Sequence, residues 1–133
     1  MSENAERNVS LVDNEIRAED SVGENIRIFR FQDFTITVPG HSYIAPVKDC
    51  SLHVDPRGTW ILAYRLENCQ WRGDLQLSVR LSTIDNKELH TENALLSLTC
   101  HNAYRASCGP YPAGLFEMIR RASFSYSGGL RPC

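Results

Sequence analysis

Leu75-Gln76-Leu77-Ser78-Val79-Arg80-Leu81 alternates without a break between apolar and polar side chains. Successive side chains of an extended strand point to opposite faces. Leu75, Leu77, Val79 and Leu81 therefore form one apolar row, and Gln76, Ser78 and Arg80 a polar one, as in a strand half buried against a core. Upstream, Asp55-Pro56-Arg57-Gly58 places proline second and glycine fourth, which suits a type I turn. That turn joins residues 51–54 to residues 59–66 and predicts a β-hairpin.

Further upstream, Phe34-Thr35-Ile36-Thr37-Val38 repeats the period of two before the break at Pro39-Gly40, and Ile26-Arg27-Ile28-Phe29-Arg30-Phe31 is rich in β-formers. Downstream, residues 82–92 read as polar turn material and residues 94–98 as another strand. Residues 102–113 read as a loop rich in Gly, Pro, Tyr and Ser. Residues 115–121 fit a strand or a helical turn, and the ending Ser127-Gly128-Gly129-Leu130-Arg131-Pro132-Cys133 reads as loose. No helix longer than two turns is supported. The expected class is all-β, a small single domain of antiparallel sheets and hairpins, with a β-sandwich as the alternative arrangement.

The chain has 133 residues, 42% of them hydrophobic, enough for one ordinary core. Residues 1–24 carry seven acids against two arginines, leaving nine acids and twelve Lys/Arg in the rest. Residues 1–25 accordingly read as a flexible acidic tail and 26–133 as one mildly basic β domain. So small an excess of positive charge is no phosphate-binding stripe, and nucleic acid is not an expected partner. No apolar run reaches the roughly 20 residues needed to span a bilayer. The first residues lack the apolar centre of a secretory signal. The expected location is cytoplasmic, or outside the cell by a route without a signal peptide, and Asn8-Val9-Ser10 carries little weight as a glycosylation acceptor.

The five cysteines are Cys50, Cys69, Cys100, Cys108 and Cys133. An odd count without a signal peptide argues against a complete disulfide framework and for mostly reduced thiols. In an oxidising compartment two pairs and a spare are open, with undetermined connectivity. Cys50-x-x-His53, Cys100-His101 and Cys108 supply zinc-ligand types, but adjacent Cys100 and His101 on a strand would face opposite ways. No metal or cofactor is therefore expected. No order of cysteines relative to His41, His53, His90 and His101 selects a nucleophile, and Asp49, Asp55, Asp74, Asp85 and Glu88 read as turn residues. With no phosphate loop, nucleophile elbow or HExxH, the chain is expected to be non-catalytic.

Asn68-Cys69-Gln70-Trp71-Arg72-Gly73-Asp74 and Thr83-Ile84-Asp85-Asn86-Lys87-Glu88 combine amides, carboxylates and an aromatic. Such groups pair with sugar hydroxyls and cover an apolar sugar face. Leu62, Leu66, Trp71 and Leu75 are also echoed about 53 residues later by Leu115, Ile119, Phe124 and, with a shift, Leu130, the spacing of a duplicated β unit. Asp49-Cys50 is echoed by Thr99-Cys100 in the same way.

In order, His41-Ser42-Tyr43, Asp49-Cys50-Ser51-Leu52, Ile61-Leu62-Ala63-Tyr64-Arg65-Leu66, Asn68-Cys69-Gln70-Trp71, the alternating strand and Ile84-Asp85-Asn86-Lys87-Glu88-Leu89 resemble a repeat of the cyanovirin-N homology domain. Glu92-Asn93-Ala94 and Thr99-Cys100-His101-Asn102 are similar to the opening of a second repeat. The resemblance implies two pseudo-symmetric three-stranded sheets and metal-free binding of mannose-type oligosaccharides or a glycoprotein. It places sugar contacts at Asn68, Gln70, Asp85, Asn86, Asn93, Thr99, Arg121 and Ser123. The alternative expectation is a protein-interaction or structural β-sandwich, viral or host-interacting, that binds no sugar.

Overall fold

The structure, a computed structural model, describes residues 9–11, 16–17 and 26–133. Its strands are β1 (Val9–Leu11), β2 (Ile16–Arg17), β3 (Arg27–Arg30), β4 (Phe34–Thr37), β5 (Ile44–Asp55), β6 (Thr59–Cys69), β7 (Trp71–Ser82), β8 (Glu88–Leu98), β9 (His101–Pro110) and β10 (Arg121–Pro132). A 3-10 segment, Ala113–Met118, precedes the last. All pairings among the described residues are antiparallel. Most of the expected acidic tail lies outside the described residues, while β1 and β2 within it pair with β10.

The strands form two five-stranded sheets. In one, β10 and β7 are central, β8 is one edge, and β1 and β2 share the other. In the second, β5 and β6 are central, β9 is one edge, and β3 and β4 share the other. The sheets stack around one core, so the arrangement is the β-sandwich and each sheet has five strands, where the resemblance implies three.

The alternating row quoted first supplies one side of that core. Leu75, Leu77, Val79 and Leu81 are all buried, in the same core as Trp60, Leu62, Tyr64 and Leu66 of β6. Phe31 and Phe34 meet Phe124 at ring-centroid distances of 4.9 and 5.7 Å. The Asp55 turn forms as the sequence predicts, with the Gly58 amide donating to the Asp55 carbonyl at 3.0 Å and Gly58 at φ +103°.

Two sequence expectations fail for one reason: strand pairing overrides weak local propensity. Residues expected as a loop form β9 because every residue from Ala103 to Pro110 pairs with β6. The ending expected to be loose is β10, whose Pro132 still pairs with Trp71. The two glycines there suit close packing: Gly128, at φ +133°, lies against Leu75. The 53-residue echo joins unlike places, since Leu62 and Leu66 lie in β6 whereas Leu115 lies in the 3-10 segment and Ile119 caps it.

Three of the five cysteines are thiols, alongside one bridge. Cys100 and Cys133 form a disulfide, and Cys50, Cys69 and Cys108 are thiols. The bridge spans 33 residues and ties the end of β10 to the β8–β9 junction. Its reduction is expected to lower unfolding free energy by about 2–4 kcal/mol through greater freedom of the unfolded chain, visible as a shifted urea midpoint in the presence of a reductant. Gly109 packs under Trp60, where an added Cβ would meet Cζ2 at 2.6 Å. Gly109→Ala should cost about 1–3 kcal/mol in the same measurement, because neither backbone nor buried indole has room to retreat.

Candidate functional site

The sandwich has two outward faces of different chemistry. Outward positions of β6 and β9 are set by register: Ile61 opposite Cys108, Ala63 opposite Ala106, and Arg65 opposite Tyr104. On this face Tyr104 is 83% exposed, and Ile61 is 43% exposed. The small Ala63 and Ala106 leave a depression beside Tyr104 and Arg65, a cavity of about 490 Å³ also lined by Asp49 and Arg105.

Its polar wall is built by a backbone irregularity. The β5–β6 register shifts between Lys48 and Ser51, and Asp49 sits there at φ +51°. Bulges re-aim side chains. Here the Asp49 carboxylate meets the Arg65 Nε at 2.9 Å, while Glu67 accepts from Nη1 at 3.0 Å. Asp49 first and Glu67 second hold the guanidinium above its ordinary range, fixing a planar fork of donors beside the ring. Its Nη2 has no acceptor among the described residues.

The other face is polar. Gln76, Ser78 and Arg80 of β7 lie between Leu95, Asn93 and Thr91 of β8 and Ser127, Ser125 and Ser123 of β10. At its end, the β7–β8 turn is held by the Lys87 amide donating to Thr83 Oγ1 and by Arg80 Nη2 donating to the Asn86 carbonyl at 2.9 Å.

The eight residues expected to contact sugar do not converge. Asp85 and Asn86 lie in the β7–β8 turn, where Arg121 Nε donates to the Ile84 carbonyl. Asn93 and Ser123 lie on the polar face, and this group of five is the part that the fold brings to one side. Thr99 occupies the β8–β9 junction. Asn68 and Gln70 sit at the β6–β7 corner, Asn68 held there through its backbone N–H and Gln70 through its side chain. Gln70 Oε1 accepts from the Ile44 amide at 2.9 Å, while the Asn68 amide donates to Asn102 Oδ1 at 2.7 Å. The residues missed from sequence are Tyr104, Arg65 and Asp49. Tyr104 fell in a stretch taken for loop, and the bulge that places Asp49 leaves no mark in the hydropathy pattern.

Among the described residues no three His, Cys, Asp or Glu side chains group as metal ligands. Cys100, considered as a zinc ligand, is in the disulfide, and His53 lies 3.1 Å from Ser51 Oγ. Comparison with protein families, curated proteins and solved structures found no match to the chain. No described helix is long and apolar enough to cross a membrane.

Burial pushes the Cys50 thiol from 9.0 up to about 12, with Asp33 adding to the shift. Burial also raises Cys69, Tyr64 and Tyr111. Groups with raised native pKa stabilise the fold fully below their unfolded values and lose that contribution as pH rises toward the native ones. Unfolding free energy is therefore expected to be flat near neutrality and to fall between about pH 9 and pH 12. Denaturant midpoints measured across that range check it.

Proposed function

We propose that this chain is a non-catalytic carbohydrate-binding β-sandwich whose sugar lies on Tyr104. The observation that carries the reading is an exposed aromatic ring next to a guanidinium clamped by two carboxylates, above a floor of two alanines. Aromatic faces cover the apolar C–H face of a sugar ring, and planar groups such as guanidinium and carboxylate make paired hydrogen bonds to adjacent hydroxyls. The alanine floor lets a flat ring approach the sheet. Because Asp49 and Glu67 offset the charge of Arg65, the site suits neutral sugars rather than anionic ones.

Partners are accordingly an oligosaccharide or a glycoprotein, and the mannose-type oligosaccharides that the sequence resemblance implies belong among the first ligands to test. A glycan array is expected to return a neutral oligosaccharide, and Tyr104→Ala should weaken its binding by tenfold or more (about 1.4 kcal/mol). Stability should change by no more than about 0.5 kcal/mol, since the side chain is on the surface. Folded wild-type protein that binds no neutral glycan would refute the reading.

A second reading, docking of a protein on this same face, is favoured by the continuation of the apolar row to Ile61 and Cys108. A stoichiometric partner retained in excess free sugar, and lost in Ile61→Asp, would decide for it.

A further inference from the structure

The polar face holds a second concavity, of about 150 Å³, lined by Ser78, Arg80, Glu88, Thr91, Ser123 and Ser125. Register explains the clustering: Arg80 stands opposite Ser123 on one side and Thr91 on the other, and Ser78 stands opposite Ser125. One polar group here is buried without being satisfied, and a serine is buried beside it. Ser123 is only 5% exposed and lines the concavity. Arg80 Nε is buried and makes no hydrogen bond, although the Glu88 carboxylate forms an ion pair with it at 3.5 Å. Buried polar groups are nearly always paired, and those that are not point to a missing ligand or solvent.

We propose that this pocket is a second binding site, taking one ring of a neutral sugar or a similar small vicinal diol. The chemistry of the wall selects that class. Arg80 Nε lacks an acceptor, the half-exposed Glu88 carboxylate beside it can take a donor, and a hydroxyl is both. Adjacent hydroxyls of one ligand satisfy the pair together, while the rotatable hydroxyls of Ser78, Ser123, Ser125 and Thr91 adapt to the remainder. A phosphate or sulfate would accept from Arg80 but face the Glu88 carboxylate, so anions are disfavoured. The volume is that of about five water molecules at ~30 Å³ each, which limits the ligand to a single ring. With Tyr104 on the opposite face, one chain then holds two glycan branches at once. This site rests on its own observations and does not require the Tyr104 reading.

The test is an amide NMR titration of the full chain with methyl α-mannoside, methyl β-glucoside and, separately, sodium sulfate, each at millimolar concentration. Saturable shifts at Ser78, Arg80, Thr91, Ser123 and Ser125 are expected with at least one glycoside, and they should persist in Tyr104→Ala. Ser123→Ala should weaken that binding about 2- to 10-fold, the effect of one neutral hydrogen bond, and Arg80→Met should abolish it. The same spectra report whether each variant is folded. Thr91→Val, at the exposed rim, takes the place of either variant that is not folded and should weaken binding similarly. Glycoside shifts confined to the surroundings of Tyr104 would overturn this proposal and leave the other standing. No shift from either glycoside, or shifts at these amides from sulfate alone, would overturn it as well.

Discussion

Between Cys69 and Trp71 the chain leaves one sheet and enters the other through a single residue, and the stacking of the two sheets depends on how that corner is held. Gln70 bonds in three directions: its amide donates to the Ile44 carbonyl, its side-chain oxygen accepts from the Ile44 amide, and its carbonyl accepts from Cys133. Trp71 adds a bond from Nε1 to the Tyr43 carbonyl at 2.9 Å. The start of β5, the corner and the last residue of the chain are thus drawn to one point, and the Cys100–Cys133 bridge closes it covalently. A sharp corner exposes backbone donors and acceptors that the ladders cannot serve, and an unmet buried group is costly. A glutamine suits this place because its side-chain oxygen reaches the Ile44 amide while its backbone serves the other two partners.

The same requirement shapes the opposite end. The segment between β9 and β10 is too short to hold a helix by itself, and what seats it is Arg27. That buried guanidinium lies 4.4 Å from the Phe116 ring centroid and donates to the Ile119 carbonyl at 3.2 Å. Tyr111 reaches back to the Asp55 carbonyl in the first hairpin turn. A buried charge of this kind is tolerated because it is hydrogen-bonded and covered by an aromatic face.

How much of this was legible depended on whether a residue's role was local. The alternation from Leu75 to Leu81 and the Pro56-Gly58 turn are local, and both read correctly. β9 was illegible because Tyr104, Ala106, Cys108 and Gly109 acquire strand geometry from pairing with β6, a constraint supplied by residues far away in sequence. Gln70 shows the converse at the site: a polar residue beside a tryptophan looks like a ligand contact, yet the corner uses its side-chain oxygen. Tyr104 and Arg65 lie far apart in sequence and become a unit only by cross-strand register, and the bulge at Asp49 completes them. Ser123 was picked out on other grounds, but its surroundings, Arg80 and Glu88 above all, required the sheet.

One contact between the sheets sets a limit on how this molecule meets others. Tyr64 crosses from the core so that its hydroxyl donates to the Ser97 carbonyl at 2.8 Å and accepts from the Ser97 amide at 3.0 Å, and Ser107 donates to the Leu95 carbonyl. These are the outward-pointing backbone groups of β8, an edge strand, and such groups otherwise form a template for pairing with a foreign strand. With them occupied from within, this border is closed to a foreign strand over Leu95 and Ser97, a barrier to stacking copies of the chain through that edge into fibrils. Over that stretch a neighbouring molecule meets side chains rather than free backbone.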